Sequence, residues 1–423
     1  MEIFYKKVSE LIADGVLAPP MDGNHGEIHP KTSDYVESGI PFILVPDLKD
    51  GIVDLDKCHF ITPEQAKTLR KGFSKTGDVL FTHKATIGKV ALVDTKKYEY
   101  IILTPQVTYY RVKNNKVLDN MYLYYYFLSD AFQKTFRAFS SSGGTRDYLG
   151  IVAQRKLPII YPDINTQHKI ADVLSKYDAL IHNNNKRIKI LEQMAESLYK
   201  EWFVRFCFPG YENVKFEDGV PCGWKIIRLS EFGISLDTGS RPSGGIDDSL
   251  TEGVPSLGAE AVKGLAEFDY SSVKYITHEY YSKMKHGKFD SNAILVYKDG
   301  AYIGKTTIFR NEFPFKTFAA NEHIFLMKAN NPTYQNYLYF TLHQKEYFYL
   351  MQNLNRNAAQ PGLAQPDIKR IKITFPSENV IRQFNAIIEP IFDEVFQLAK
   401  ANKIIEQQRN ILLLRLMSGK LEV

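Results

Sequence analysis

The longest uninterrupted pattern in the chain lies between Ile164 and Phe203, where neither Gly nor Pro occurs. Apolar residues there fall on two seven-residue ladders. One is Leu174, Ile181, Ile188, Ala195 and Trp202; the other is Ile170, Tyr177, Asn184, Leu191 and Leu198. Interleaved, they alternate in steps of four and three, which is the seam of a coiled coil. The same ladders return 214 residues later as Ile388, Val395, Asn402, Arg409, Leu416 and as Phe384, Ile391, Leu398, Ile405, Leu412. The spacing predicts two long helices, with Pro390 starting the straight section of the second or kinking it. A seam from Ile170 to Trp202 is a rod of roughly 50 Å at about 1.5 Å per residue. Antiparallel pairing of the two helices would hold a globular domain at each end. A second molecule could satisfy the same seams, but two helices of one chain meet at the higher effective concentration. Asn184 and Asn402 either sit inside the seam, where a buried amide fixes register, or face solvent.

Outside the helices the pattern is mixed. Phe42-Ile43-Leu44-Val45, Val79-Leu80-Phe81, Val90-Ala91-Leu92-Val93 and Ile294-Leu295-Val296-Tyr297 have strand length and strand composition, punctuated by Gly and Asp. The aromatic-rich segments 121–139 and 334–349 read as buried helices. Short matches then recur in one order at offsets of 214 to 216. Ile40-Pro41-Phe42-Ile43 faces Val254-Pro255-Ser256-Leu257, Phe60-Ile61-Thr62 faces Tyr275-Ile276-Thr277, and Ile87-Gly88-Lys89 faces Ile303-Gly304-Lys305. Tyr122-Leu123-Tyr124 faces Tyr337-Leu338-Tyr339, and Leu157, Ile159 and Tyr161 face Ile371, Ile373 and Phe375. The chain is therefore a repeat of about half its length, each copy an α+β domain followed by a long helix.

Charge sharpens this picture. The net charge of the 423 residues is +5, but the segment 67–156 carries 16 Lys/Arg against 6 Asp/Glu, and the segment 281–372 carries 13 against 6. Two basic segments, one in each copy, suit contact with a polyanion. Three scattered cysteines exclude a disulfide framework or a zinc knuckle and fit a reducing cytoplasm. No apolar run reaches the ~18 residues that a membrane span needs, and the start of the chain lacks a secretory apolar region.

Catalytic motifs are missing. Gly304-Lys305-Thr306 ends like a phosphate-binding P-loop, but the position where that loop needs its first Gly is Asp299. There is no HExxH, no GxSxG, no dinucleotide fingerprint, no cysteine pair at metal spacing and no histidine cluster. Contact chemistry remains. Each copy has a strand, a polar turn and then Ile-Gly-Lys. His83, Lys84, Thr86 and Lys89 stand on the first turn, and Lys298, Tyr302 and Lys305 on the second. Each copy also has a loop of small and amide residues, carrying Ser142, Thr145 and Arg146 in the first and Asn355, Arg356, Asn357 and Gln360 in the second. Arg pairs with guanine edges, Asn and Gln with adenine, while hydroxyls and Lys hold phosphates. Together, inside the two basic segments, these residues point to nucleic acid.

These residues resemble the specificity subunit of type I restriction–modification systems over essentially the whole chain. The landmarks are Gly39-Ile40-Pro41-Phe42-Ile43 and Gly253-Val254-Pro255, Gly77-Asp78-Val79-Leu80-Phe81 leading to Ile87-Gly88-Lys89, and Asn321-Glu322-His323. Gln167-His168-Lys169-Ile170-Ala171, Leu191-Glu192-Gln193-Met194-Ala195 and the ending Leu412 to Leu421 are similar to the family too. The second copy opens with Gly223-Trp224 and a later Leu229. The first has no tryptophan at its start and is read as opening at Asp22-Gly23-Asn24-His25.

The resemblance implies two pseudo-symmetric target-recognition domains, at 1–163 and 207–376. Spacer helices at 164–206 and 377–423 would form the antiparallel coiled coil. Each domain would read one half of a split site in double-stranded DNA, and the differing loops imply an asymmetric one. The helices would set the gap and dock two modification (methyltransferase) subunits, which carry S-adenosylmethionine. Restriction (translocase/nuclease) subunits would add ATP- and Mg-dependent cleavage. This chain would hold no cofactor, no metal and no catalytic residue. The alternatives are a coiled-coil scaffold with two protein-binding domains and a DNA methyltransferase in its own right.

Overall fold

The computed structural model describes residues 2–140, 148–217, 219–289, 292–354 and 362–422. The chain forms two compact units. One comprises residues 1–179 and 406–423, the other 180–405, so the boundary falls within both long helices. The fold is α+β and repeated.

In the first unit the opening strand Ile3–Lys7 pairs antiparallel with Pro158–Pro162. A four-stranded sheet runs in the order His59–Ile61, Ile40–Ile43, Ile101–Leu103, Phe73–Ser74. A second sheet runs Met21–Asp22, Val107–Tyr110, Val79–Thr82, Val90–Leu92, Ile52–Val53, Leu48–Lys49. Side chains of a strand alternate between its faces, and that alternation builds the layers. Leu80, Ala91, Val107 and Tyr109 pack against Ile43, Ile101 and Leu103 between the sheets. Phe42, Ile61 and Ile102 line the outer face of the smaller sheet with Ala66 of the helix Pro63–Thr68. Val79, Phe81, Val90 and Tyr110 turn the other way, onto an aromatic helical layer that also takes in Leu174, Leu413 and Leu416.

The second unit repeats this order. Its opening strand Lys225–Arg228 pairs with Lys372–Phe375. One sheet runs Lys274–Ile276, Val254–Leu257, Phe318–Ala320, Lys288–Phe289, and the other Ile234–Asp237, Ile324–Ala329, Ala293–Tyr297, Thr306–Phe309. Both small sheets mix one parallel pair with antiparallel ones at matching places, Phe42 beside Ile102 and Ser256 beside Ala319.

Two expectations are corrected. Each aromatic segment is two helices rather than one: Asn120–Leu128 with Asp130–Ser140, and Gln335–His343 with Lys345–Asn353. Ser129 and Gln344 take extended backbone between them, and the Ser129 hydroxyl accepts the Phe132 N–H of the next helix at 3.3 Å. The first copy opens at Ile3 to Val8, not at Asp22, because Ile3–Lys7 and buried Val8 hold the places of Lys225–Arg228 and buried Leu229. The second long helix, Glu378–Met417, runs as one element through Pro390. The first spans Ile164–Tyr199 and ends in a π turn at Lys200–Val204 that buries Trp202 and Phe203.

Within each unit the two helices pack together. In the second unit Ile181, Asn184, Val395, Leu398 and Asn402 are buried, while Ile188, Leu191, Leu198, Ile391 and Ile405 are half-buried. Asn184 Nδ2 donates to Asn402 Oδ1 at 2.8 Å, and Asn402 Nδ2 donates to Asn185 Oδ1 at 2.7 Å. Arg187 pairs with Glu394, so the helices here are antiparallel: moving up one moves down the other. In the first unit Leu174 is buried and Leu412 half-buried. The seam arginine, Arg409, pairs with Asp178, which also accepts the Tyr125 hydroxyl at 2.6 Å.

Candidate nucleic-acid interface

In the first unit the strand Val79–Thr82 leaves the sheet and returns as Val90–Leu92. The connecting turn is closed by Thr82 N–H to Lys89 O and Gly88 N–H to Thr82 O, both 2.9 Å, and by Lys89 N–H to the Thr82 hydroxyl at 2.9 Å. Gly88 has φ +88, and a Cβ there would meet Gln133 Oε1 at 2.6 Å, so the Ile-Gly-Lys signature marks a left-handed residue tucked under the aromatic helices. Lys84, Thr86 and Lys89 then stand exposed on the turn.

His83 does not. It is 1% exposed, and its Nδ1 shares a 2.7 Å hydrogen bond with the Thr108 hydroxyl. That hydroxyl oxygen accepts Gln154 Nε2 at 3.1 Å, so its own proton is directed to the ring nitrogen. Burial pulls the imidazole down to about 4, which keeps it neutral and able to accept. Gln154 also accepts the Tyr110 hydroxyl at 3.0 Å and donates to Leu149 O at 2.9 Å. Leu149 N–H donates to His83 O at 3.0 Å, and Lys84 bridges to Tyr148. His83 is thus an anchor that ties the turn to the far end of the small-residue loop, rather than a surface contact. Ser142, Thr145 and Arg146 lie outside the described residues. Tyr148, immediately after them, is 52% exposed, with the Lys84 ammonium 6.0 Å from its ring centre.

The second unit brings the same two segments together. Lys298 N–H donates to His323 O and Leu363 N–H to Lys298 O, both at 3.0 Å, and Asp299 bridges to Gly362. Gly304, at φ +84, would place a Cβ 2.6 Å from Met351. Tyr302 is 62% exposed on the turn, while Lys298 and Lys305 are half-buried. The Lys298 ammonium lies 5.3 Å from the Phe325 ring centre and donates to Glu322 O at 2.9 Å. Arg241 pairs with Glu322 and lies 3.2 Å from His323 Nε2, and His323 Nδ1 is 3.3 Å from Asp299. Burial pushes the Glu322 carboxyl up, but the Arg241 bond and charge, a backbone hydrogen bond and His323 together outweigh it and hold the group below its ordinary value. Asn355, Arg356, Asn357 and Gln360 lie outside the described residues.

Tyr148, Gln154 and Arg241 carry these sites and were not among the sequence candidates. A signal for Arg241 was present: Gly23-Asn24-His25 faces Gly239-Ser240-Arg241 at an offset of 216, inside the range of the other matches. Not all of the basic charge faces outward. Arg111 is held by Asp78, and Arg310 is 4% exposed between Glu389 and Asp393. Among the described residues, no helix is long and apolar enough to cross a membrane.

The chain is 26% identical over 403 residues to the type I restriction enzyme MjaIX specificity subunit of Methanocaldococcus jannaschii, covering 93% of this chain and 89% of that one. It is 22% identical to the type I restriction enzyme HindI specificity subunit of Haemophilus influenzae, over 82% of this chain and 87% of that one. Its fold is similar to the crystal structure of the type I restriction–modification S subunit from M. genitalium, with a TM-score of 0.57, 15% identity, and 98% and 96% of the two chains covered. The family described as the type I restriction modification DNA specificity domain matches residues 24–193 and again 221–411. Both halves of the repeat are covered, and the chain belongs to this family.

Proposed function

We propose that each compact unit reads one half of an asymmetric, two-part site in double-stranded DNA, within a type I restriction–modification assembly. The chain is a specificity subunit: it recognises DNA sequence and is not the catalytic component. One observation carries the finer reading. The same backbone bonds pin a turn to the end of a polar loop in both units, yet the side chains presented differ, Lys84, Thr86 and Tyr148 in one and Tyr302 with Arg241 in the other. A rigid scaffold repeated with different contact chemistry suits two different half-sites.

The long helices would set the gap between half-sites and dock two modification subunits. S-adenosylmethionine would be bound by those partners, and ATP and Mg by restriction subunits that join them in the cytoplasm. The test is a gel-shift selection from a mixed duplex library, with the chain alone and with a modification subunit. A gapped, non-palindromic preference is expected, and absence of sequence preference in both arms would overturn the proposal.

A further inference from the structure

A cavity of about 370 Å³ opens in the second unit between Thr238-Gly239-Ser240 and Tyr280, Lys283, Met284, Lys285 and His286. Beside the Met284 side chain, the lining carries two ammonium groups, an imidazole and three hydroxyls. Gly239 of its wall packs against Gly287: a Cβ on Gly287 would collide with Gly239, and one on Gly239 with the Ala320 carbonyl.

The cationic groups are loosely held. Among the described residues Lys283 pairs with exposed Glu279, one helical turn away, and the His286 ring lies 3.2 Å from Asp237. Among the described residues Lys285 has no ion-pair partner. Exposed pairs of this kind are worth little and exchange readily for a better anion. The Ser240 and Tyr280 hydroxyls, 3.1 Å apart, stand at the rim.

The first unit shows what closes such a space. Gly23 and Gly72 make the same crossing, but Asn24 stands where the second unit has Ser240. The Asn24 side chain is buried, donates to Lys71 O at 2.6 Å and accepts the Arg70 and Lys71 N–H groups at 2.9 and 3.2 Å. Lys71 is itself held by Asp22. The crossing is plugged by Asn24 in one unit and open in the other.

We infer that this cavity takes a phosphate group of the DNA backbone, held by Lys283, Lys285 and the Ser240 and Tyr280 hydroxyls. The inference rests on the DNA reading above and adds a positioning contact beyond the turn and loop, present in the second unit only. The test uses the full chain and a mixed-sequence duplex, with affinity followed by fluorescence anisotropy across salt concentrations. Each phosphate contact adds about 0.9 to the slope of log affinity against log salt. Lys283→Gln/Lys285→Gln is expected to lower that slope by about 0.9. Ser240→Asn keeps every charge but removes the hydroxyl and bridges the crossing as Asn24 does, and is expected to lower the slope by about 0.9. Unchanged slopes in both variants, with DNA binding intact, overturn the cavity and leave the DNA reading standing. If inorganic phosphate raises the wild-type melting temperature while both slopes stay unchanged, the site serves a free anion and the backbone assignment is wrong. A wild-type chain with no affinity for duplex overturns both.

Discussion

Gln154 is the side chain on which the first unit's turn and loop end both depend, and Gln154→Leu isolates its role. Leucine keeps much of the volume but removes three buried hydrogen bonds, to Tyr110, Thr108 and Leu149. The Thr108 hydroxyl retains His83 as a partner. The Tyr110 hydroxyl and the Leu149 carbonyl lose theirs. A stranded buried polar group costs about 1–3 kcal/mol. Two of them, less about 1 kcal/mol for the better burial of an apolar side chain, give a net loss of roughly 3 kcal/mol. At a urea dependence of about 1–3 kcal/mol per molar, the unfolding midpoint of this unit should fall by about 1–3 M. Because the Leu149 amide is bonded to His83 O, its hydrogen exchange should quicken by about 100-fold, the kinetic equivalent of that energy. DNA affinity should fall with it. An unchanged midpoint together with unchanged exchange at Leu149 would refute the anchor argument, because both readouts follow directly from those bonds.

Asn402→Leu alone should destabilise the second unit by about 1–3 kcal/mol, since Asn184 and Asn185 each lose a partner. Adding Asn184→Leu should restore most of that in a double-mutant cycle, and strictly additive effects would contradict a coupled amide pair. Removing one heptad from each helix, residues 181–187 and 399–405, shortens both by about 10 Å. At 3.4 Å per base pair the preferred gap should shrink by about three base pairs, and an unchanged gap in a spacer-varied library would count against the helices as a ruler. Protonation gives opposite signs in the two units. His83 is lowered to about 4, so the first unit should lose stability as pH falls from about 6.5 toward 4; urea unfolding should show a shallower loss for His83→Gln. Glu192 is raised to about 7 by burial and by Glu196, so the second unit should lose stability as pH rises from about 4.5 through 7. Glu192→Gln should be the more stable protein above pH 7, with no advantage below 4.5.

The seam was legible because a 3.5-residue period needs no tertiary information, and even its charged member, Arg409, occupies a seam position by pairing with Asp178. The repeat was legible through its offsets, and the small sheets of the two units share one strand order. What stayed hidden depends on partners distant in the chain. His83 reads as a surface contact because it stands on a polar turn in a basic segment. It turns inward because Thr108, 25 residues away, offers a hydroxyl and the sheet closes over it. Arg310 counts toward a basic segment until Glu389 and Asp393 of the second long helix are seen to hold it. The breaks at Ser129 and Gln344 are masked by aromatic runs that continue on both sides.

The two anchors show how a duplicated scaffold diverges in what it presents. The backbone bonds joining turn and loop end are the same in both units, but the side chains beneath them belong to different chemistries. His83, Thr108 and Gln154 form a neutral polar network. At the matching places stand Lys298, Phe325 and Ile368, a cation lying over a ring beside a fully buried aliphatic side chain. Each set satisfies itself and would conflict with the other. The Lys298 ammonium over Thr108 would lose its aromatic face, and His83 over Phe325 would lose the hydroxyl that donates to its ring nitrogen. A turn is therefore inseparable from the two positions below it, one on the central strand of the sheet and one on the short helix after the loop. Any exchange that carries the anchor residue of the turn, His83 or Lys298, has to move all three together, because moving the anchor alone leaves a buried polar group without its partner.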